Sequence, residues 1–182
     1  MPDLPNDDRT VHVTSPATPE ALFERLASLG IRHHTVNHPA VFTVEEAKAL
    51  RGPLDGSHTK NLFLRDKKGA MWLVVLPEDR DVDLQDLAVR IGAKRLSFGS
   101  AERLLTYLGV IPGAVTPFGV INDRDRVVRI VIDRAVLERE PLNFHPLDNA
   151  MTTSIGADDF LAFLQAEGHA PQIIDFERRV AT

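Results

Sequence analysis

Two adjoining segments between residues 60 and 76 constrain the fold most strongly. Residues 60–65 alternate between two faces, the period of two that is typical of a β-strand. A polar turn at 66–69 follows, and then the near-continuous apolar run 70–76. An apolar run of this length between turn signals indicates a strand that is covered on both faces. We therefore expect a β-hairpin at the centre of a sheet.

The rest of the chain interleaves helical and strand patterns without a strict strand–helix–strand repeat. Helices are predicted from their capping residues, which are Thr18, Thr43, Asp83, Ser100 and Gly156. Further strands are predicted near residues 31–36, 94–98, 127–132, 152–155 and 172–176. This mixture predicts an α/β (α+β) fold, with one mixed central sheet flanked by helices. The polar, aperiodic residues 1–16 are expected to form a flexible arm, and residues 17–178 a single domain.

Composition excludes several classes of site. The 182 residues contain no cysteine, which rules out disulfides, a thiol nucleophile and cysteine-ligated metals. Adjacent His33 and His34 point to opposite faces of a strand and cannot form a metal pair, so we expect neither a metal nor another cofactor. No phosphate-binding glycine loop and no serine nucleophile elbow is present. Without a membrane-length apolar run or a signal peptide, the expected location is the cytoplasm.

The net charge of −5 argues against a general electrostatic attraction to nucleic acid. Three local basic clusters could still bind a phosphate backbone, and each could equally be a solvated loop. They are Arg65 with Lys67 and Lys68, Arg90 with Lys94 and Arg95, and Arg124 with Arg126 and Arg129. Lys94 and Arg95 follow a predicted helix end, which makes them the candidate contacts to RNA.

Lys60 is the most unusual charge in the sequence. It begins a strand on the face that also carries Leu62 and Leu64. A half-buried ammonium group is costly unless a carboxylate, backbone carbonyls or an anionic ligand pairs with it. Alternatively, the long side chain reaches water at the end of the strand. The spacing alone leaves both interpretations open.

Two segments that contain proline, one of them also glycine, add further candidate site residues. Residues 111–119 contain two prolines and two glycines, which interrupt any strand ladder and can leave backbone groups open to a ligand. Residues 143–146, Asn-Phe-His-Pro, hold an imidazole between an aromatic residue and a proline. Because loops held by a scaffold often carry binding sites, both segments are candidate site loops; a wide connection and a capped turn are the structural alternatives.

These segments together resemble the YbaK/prolyl-tRNA-editing family, and within it the freestanding ProX type. The resemblance is carried by Lys60-Asn61-Leu62-Phe63, by Gly113-x-x-x-Pro117-Phe118-Gly119 and by Asn143-Phe144-His145-Pro146-Leu147, in that order. The resemblance extends over about residues 17–178. The same region is similar to the editing insertion of bacterial prolyl-tRNA synthetases. The resemblance implies a YbaK-like fold.

The family resemblance also implies roles for individual residues. Lys60 and His145 match its catalytic positions, with Lys60 acting on a phosphate or on a developing oxyanion. The implied substrate-binding residues are Asn61, Gly113, Ala114, Val115, Pro117, Phe118 and Asn143. An aminoacyl ester is already activated, so such an enzyme needs to place water and stabilise an oxyanion rather than supply a nucleophile.

The implied activity is hydrolysis of mischarged aminoacyl-tRNA(Pro), most simply alanyl-tRNA(Pro), in trans to the synthetase. The implied partners are the acceptor end of tRNA(Pro) and prolyl-tRNA synthetase, with no membrane. Two alternatives stay open at this point: a deacylase for cysteinyl- or seryl-tRNA, and a non-catalytic module that binds tRNA or a nucleotide.

Overall fold

The computed structural model describes residues 15–51 and 54–178, so most of the predicted N-terminal arm lies outside the described residues. The helices are Pro19–Ser28 (α1), Val44–Arg51 (α2), Leu84–Ile91 (α3), Ala101–Leu108 (α4), Arg134–Leu137 (α5) and Ala157–Ala166 (α6), with a 3-10 helix at Pro117–Asn122. The strands are His33–Asn37 (β1), Ser57–Arg65 (β2), Met71–Pro77 (β3), Ser97–Phe98 (β4), Val128–Asp133 (β5), Leu142–Phe144 (β6), Met151–Ile155 (β7) and Gln172–Ile174 (β8).

The strands form one mixed sheet in the order β1-β7-β6-β2-β3-β5-β8, with β4 paired to β2 beside this row. β2 and β3 pair antiparallel from Thr59 opposite Pro77 to Arg65 opposite Met71, which confirms the predicted hairpin. On its other side β3 pairs in parallel with β5. The predicted α+β architecture with a mixed central sheet is therefore confirmed.

Helices cover both faces of the sheet. Helices α1, α4 and α6 pack on one face, where Leu22, Leu108 and Phe160 are fully buried. Helix α3 packs on the other face through Leu87, against Trp72 and the neighbouring strand residues. Because β3 lies between these two cores, residues 71–76 are all buried, as the continuous apolar run predicts.

Local sequence signals account for the helix boundaries. The side chains of Thr18, Asp83 and Ser100 each accept a hydrogen bond from a backbone N–H in the first turn of their helix. Gly92 and Gly109 end α3 and α4 in the left-handed conformation, with φ of 71° and 67°. The predicted helix starts and stops at these positions are confirmed.

Three short elements differ from the sequence-based prediction. The segment around Asn143 is predicted as a loop, but its first part is β6, a three-residue strand that pairs with both β2 and β7. Neighbouring strands on both sides, rather than its own pattern, hold this segment extended. Helix α5 and the 3-10 helix are absent from the prediction for a similar reason, since four and six residues are too few for a periodic signal.

The predicted strand at 31–36 begins two residues later, at His33. The N–H of Ile31 donates to the carbonyl of Leu26, which keeps this residue in the turn that closes α1. In residues 15–51 and 54–178, no helix combines the length and the apolar character needed to cross a bilayer.

Candidate active site

A cavity of about 260 Å³ opens beside the edge of β2 that faces away from β3, where no single strand pairs with β2 along its length. β6 pairs with β2 at Ser57 and His58, and β4 pairs with it at Leu64 and Arg65. Residues 59–63 lie between these two pairings, at a gap in the strand edge. An unpaired stretch of strand exposes backbone and side-chain groups that a ligand can use. The gap is thus the structural origin of the cavity.

Most of the predicted site residues converge on this cavity, although they come from three distant parts of the sequence. Six of them line it: Lys60, Asn61, Gly113, Val115, Asn143 and His145. The remaining walls come from the segment before α2, from α2 itself and from β7; these lining residues include His38, Val41, Phe42, Thr43, Val44, Ala47 and Thr152.

Lys60 is half-buried at the gap, opposite Leu76 of β3. Its ammonium group makes no hydrogen bond or ion pair with the described residues, although Glu78 lines the same cavity. A cation on the wall of a cavity that is not engaged in an ion pair is suited to attract an anionic group or a developing negative charge. This geometry agrees with the ligand-directed interpretation of the lysine.

Asn61 connects β2 to the glycine–proline loop. Its Nδ2 donates to the carbonyl oxygen of Val115 at 3.1 Å, which fixes both the loop and the orientation of the amide. The other amide atom, Oδ1, is buried and has no partner in the described residues. A buried acceptor without a donor is costly, so this oxygen is a natural acceptor for a donor group on a ligand.

The backbone at Gly113 approaches the segment that precedes α2. Gly113 has φ of 91°, and a Cβ atom there would lie 3.0 Å from the ring of Phe42. The Phe42 segment is itself anchored, because the side chain of Asn149 donates to the carbonyl of Val41 at 2.8 Å. The loop therefore needs a residue that tolerates positive φ and has no side chain.

His145 lies on the cavity wall with a defined ring orientation. Its Nδ1 donates to the carbonyl of Met151 at 2.7 Å, which leaves Nε2 as the acceptor of the neutral ring. Burial lowers the pKa of His145 below its ordinary value, and the nearby His38 lowers it further, while the Met151 hydrogen bond and Asp148 oppose the shift. The ring centroids of the two histidines are 6.1 Å apart. A neutral His145 can orient water or accept a proton.

Asn143 contributes to the site in a different way. Its Nδ2 donates to the carbonyls of Asp55 and Ser57 at 3.0 and 3.1 Å, and its Oδ1 accepts from Ser154 at 2.6 Å. These partners occupy both amide atoms, and the residue is only 4% exposed. Asn143 therefore holds β2, β6 and β7 together beneath the cavity, and its amide is not free to bind a ligand.

Three predicted substrate-binding residues do not line the cavity. Ala114, Pro117 and Phe118 are buried behind the loop, and the Phe118 ring packs edge-on against Phe144 and Phe163. The 3-10 helix that starts at Pro117 turns Pro117 and Phe118 into the core, and Ala114 is buried in the loop before it. Direct contact of these three residues with substrate stays a prediction that the cavity lining does not support. They instead support the loop that carries Val115.

Sequence reasoning missed His38 and Thr152. The Nε2 of His38 is 2.8 Å from the Thr152 hydroxyl, and its Nδ1 is 2.8 Å from the carbonyl of Pro39. A signal was present, since His38 precedes a proline as His145 does. Lys94 and Arg95, the predicted RNA contacts, are exposed and are not part of the cavity wall. Within residues 15–51 and 54–178, no group of three or more candidate ligands is arranged to hold a metal ion.

Comparison with known proteins gives a consistent assignment. A family model described as the aminoacyl-tRNA editing domain matches residues 38–163. The chain is 43% identical to prolyl-tRNA synthetase associated domain-containing protein 1 of Bos taurus, over 87% of this chain and 95% of that protein. It is 36% identical to the prolyl-tRNA editing protein ProX of Acetoanaerobium sticklandii, over 86% and 96% of the two chains.

More distant relatives agree in fold or in name. The multifunctional Ser/Thr-tRNA deacylase ProXp-y of Escherichia coli K12 is 26% identical, over 88% of this chain and 93% of that protein. A crystal structure assigned provisionally as a trans-editing enzyme for prolyl tRNA synthetase superposes with a TM-score of 0.66 at 19% identity, over 88% and 98% of the two chains, and shows the same fold. The chain therefore belongs to the aminoacyl-tRNA editing domain family and is an enzyme of the aminoacyl-tRNA deacylase class.

Proposed function

We propose that this enzyme hydrolyses alanyl-tRNA(Pro) in trans, releasing alanine and tRNA(Pro) in the cytoplasm, with prolyl-tRNA synthetase as the source of the mischarged substrate. The observation that carries the proposal is the half-buried, unpaired Lys60 on the wall of the cavity at the gap in β2. Relatives named for prolyl-tRNA editing and for association with prolyl-tRNA synthetase support the choice of tRNA.

The reaction is the addition of water to the ester carbonyl, followed by departure of the ribose oxygen, which takes up a proton. The barrier is lowered by groups that stabilise the oxyanion and that hold the water and the ester in reactive geometry. Lys60 supplies the positive charge for this step, either at the oxyanion or at the phosphate of the terminal nucleotide. The two roles differ kinetically, because an oxyanion contact raises kcat while a ground-state phosphate contact lowers KM.

The loop at 113–115 and Asn61 hold the aminoacyl group. The unpartnered Oδ1 of Asn61 accepts a hydrogen bond from the substrate's ammonium or 2′-hydroxyl, both of which are donors. Because the Nδ2 of Asn61 is bound to Val115, the amide cannot turn its donor group toward the ligand. Gly113 allows the backbone to approach the substrate without an intervening side chain.

His145 orients the attacking water. Its lowered pKa keeps the ring neutral near pH 7, and the hydrogen bond from Nδ1 to Met151 directs the basic Nε2 away from that carbonyl. Asn143 acts as a positioning residue beneath the site. Ala114, Pro117 and Phe118 act through the packing of the loop and not through contact with substrate.

Selectivity against proline is a problem of size. A pocket wall formed by Val41, Val44, Ala47 and Val115 presents apolar side chains to the substrate. One methylene group changes binding by only about 1–3 kcal/mol, so an editing site discriminates best when it excludes the larger correct amino acid sterically. Alanine fits such a site, and the bulkier proline ring is excluded.

A second candidate substrate is seryl-tRNA. The relative that is named as a Ser/Thr-tRNA deacylase is 26% identical over 88% of this chain, and serine differs from alanine by one hydroxyl group. An apolar pocket rejects an added hydroxyl only weakly, so size alone does not separate these two substrates. Cysteine is similar in size to serine and belongs in the same comparison.

The experiment that tests the proposal is deacylation of tRNA(Pro) charged separately with alanine, serine, cysteine and proline. We expect fast release of alanine and no release of proline above the spontaneous rate. Preferred release of serine or cysteine would replace the substrate but keep the activity. Protection of every ester from hydrolysis would show that the chain is a binding module and would overturn the proposal.

A further inference from the structure

The three basic clusters of the sequence come together at the end of the sheet that lies away from the cavity. β2 ends at Arg65, which pairs with Met71 at the start of β3, and Met71 pairs in turn with Val128 at the start of β5. The N–H of Lys67 donates to the carbonyl of Lys94 at 2.9 Å. The β2–β3 turn, the segment before β4 and the start of β5 are therefore neighbours in space.

We name this surface the basic end. It consists of seven exposed residues: Lys67, Lys68, Lys94, Arg95, Arg124, Arg126 and Arg129. None of them forms an ion pair within the described ranges of the chain. Seven unpaired cations on one end of a protein with a net charge of −5 create a local positive potential.

The carboxylates near the basic end do not neutralise it. Asp66 is buried and accepts hydrogen bonds from the N–H groups of Lys68 and Ala70. Asp123 is buried and bound to His169 at 2.9 Å, and hydrogen bonds keep its pKa below the ordinary value despite burial. A third carboxylate, Asp125, is exposed and lies between Arg124 and Arg126 in sequence, so it offsets only part of the charge of the seven cations.

Two arginines of the basic end line a second cavity, of about 310 Å³, and neither guanidinium is paired with a carboxylate of the described residues. Arg126 lies against the backbone of Gly168, so closely that a side chain at Gly168 would collide with the guanidinium. The Arg129 guanidinium lies 5.2 Å from the centre of the Trp72 ring. The two groups are thus oriented in advance of any anion.

We propose that the basic end binds the phosphodiester backbone of the tRNA acceptor arm, with one phosphate seated between Arg126 and Arg129. Guanidinium groups bind phosphate through paired, charge-assisted hydrogen bonds, and side chains that are already ordered lose less entropy on binding. This inference rests on the proposed function, because it takes the RNA whose acylated end occupies the first cavity as its ligand.

The separation of the two cavities fits this ligand. Lys60 is opposite Leu76 on β3, and Arg129 is opposite Trp72, four residues away on the same strand. The strand geometry gives about 13 Å along β3 and about 10 Å across two strand spacings. The resulting distance is about 16 Å between backbones, which is longer than one nucleotide. The basic end therefore meets the acceptor arm at a point beyond the terminal nucleotide.

The first test measures binding of uncharged tRNA(Pro) as a function of salt. The double variant Arg126→Gln/Arg129→Gln removes two charges. It keeps the aliphatic part of the side chain at position 129, which covers Trp72. We expect tRNA affinity to fall about tenfold or more, and the slope of log K against log salt to fall by roughly 0.7–0.9, the value for the one phosphate contact that the two arginines share. The matched control, Arg32→Gln/Arg103→Gln, removes two arginines outside the basic end and should change neither quantity.

The second test separates RNA binding from chemistry. On alanyl-tRNA(Pro) the Arg126→Gln/Arg129→Gln enzyme should show a raised KM with kcat unchanged. On an alanyl ester of the 3′-terminal trinucleotide, which has no stem, it should match the wild type. A melting curve identifies any variant that fails to fold, and single substitutions then replace the double one.

Several results would overturn the inference. Unchanged tRNA affinity and salt slope would show that the basic end is a solvated surface. Equal losses on the full tRNA and on the trinucleotide ester would show that the arginines act through the fold. Loss of binding to prolyl-tRNA synthetase with tRNA affinity intact would assign the surface to a protein partner. The binding test uses uncharged tRNA, so its outcome does not depend on whether the wild type releases alanine. Failure of the wild type to release alanine would overturn the proposed function and leave the binding inference standing.

Discussion

Lys60 combines two properties that are rarely found together in a strand lysine. It is half-buried, and its ammonium group forms no ion pair within the described residues. The sequence raised this point because the lysine shares a strand face with two leucines. What the sequence could not show is the gap in the strand edge, which depends on β6 and β4 ending on either side of it.

His145 is the residue whose protonation we expect to affect stability. Its pKa in the folded protein is lowered from 6.5, chiefly by burial. Above pH 6.5 both the folded and the unfolded states are neutral at this residue. As the pH falls through 6.5, the unfolded state binds a proton that the folded state resists, so the free energy of unfolding decreases.

The substitution His145→Asn should therefore reduce the loss of stability on acidification. An asparagine amide can still donate to the carbonyl of Met151, and it does not titrate. We expect the melting temperature of the variant to fall less than that of the wild type between pH 7.5 and pH 5.5. His33 also has a lowered pKa and remains in both proteins, so some pH dependence persists. Equal decreases in the two proteins would contradict the assigned burial effect.

At the scale of elements, the loop at 113–115 depends on a glycine for two reasons: its backbone has a positive φ, and no room is left for a side chain. Gly113 has φ of 91°, and a Cβ would come within 3.0 Å of the Phe42 ring. Gly113→Ala should therefore strain the backbone, by about 1–2 kcal/mol, and also displace the segment before α2. We expect kcat for deacylation to fall at least tenfold.

A matched substitution separates these two effects. Gly69 has a similar φ of 89°, but nothing lies within 4 Å of a Cβ placed there. Gly69→Ala should lower the melting temperature through backbone strain alone, by no more than Gly113→Ala does, and leave kcat unchanged. Similar losses of kcat in both variants would show that general destabilisation, and not the shape of the site loop, causes the defect.

Long elements with a strong pattern could be predicted from sequence, and short ones could not. The β2–β3 hairpin has seven paired positions and an apolar run, and the capped helices carry their own start and stop residues. β6 has three residues and is extended because β2 and β7 flank it. The same limit applies to the 3-10 helix, which turns Pro117 and Phe118 away from the cavity.

At the scale of the whole molecule, the site is an assembly of three segments that are spread over more than eighty residues of sequence. Three segments could be identified from the sequence alone, because each is interrupted by glycine or proline or carries an unusual charge. They are the strand that begins at Lys60, the glycine–proline loop and the Asn-Phe-His-Pro segment. The partners that orient them could not be identified in this way, because the contact of Asn61 with Val115 and that of His38 with Thr152 arise only when the sheet is formed. Tertiary contacts of this kind have no periodic signal.

Our two proposals place chemistry and RNA binding at opposite ends of one sheet. The cavity that we assign to chemistry lies at the end of the sheet where β2 begins, and the basic end lies where β2 finishes. An acidic protein can bind RNA in this way through a few local contacts, without a general positive charge.

The central claim is that Lys60 catalyses hydrolysis of alanyl esters in a cavity that excludes proline. The most direct test is single-turnover deacylation of alanyl- and prolyl-tRNA(Pro) by the wild type and by Lys60→Ala, with melting curves for both proteins. We predict rapid release of alanine by the wild type, a rate about 10²–10³ lower for a folded Lys60→Ala, and no release of proline by either. Unimpaired release of alanine by a stable Lys60→Ala protein, or release of proline at the rate of alanine, would contradict the account.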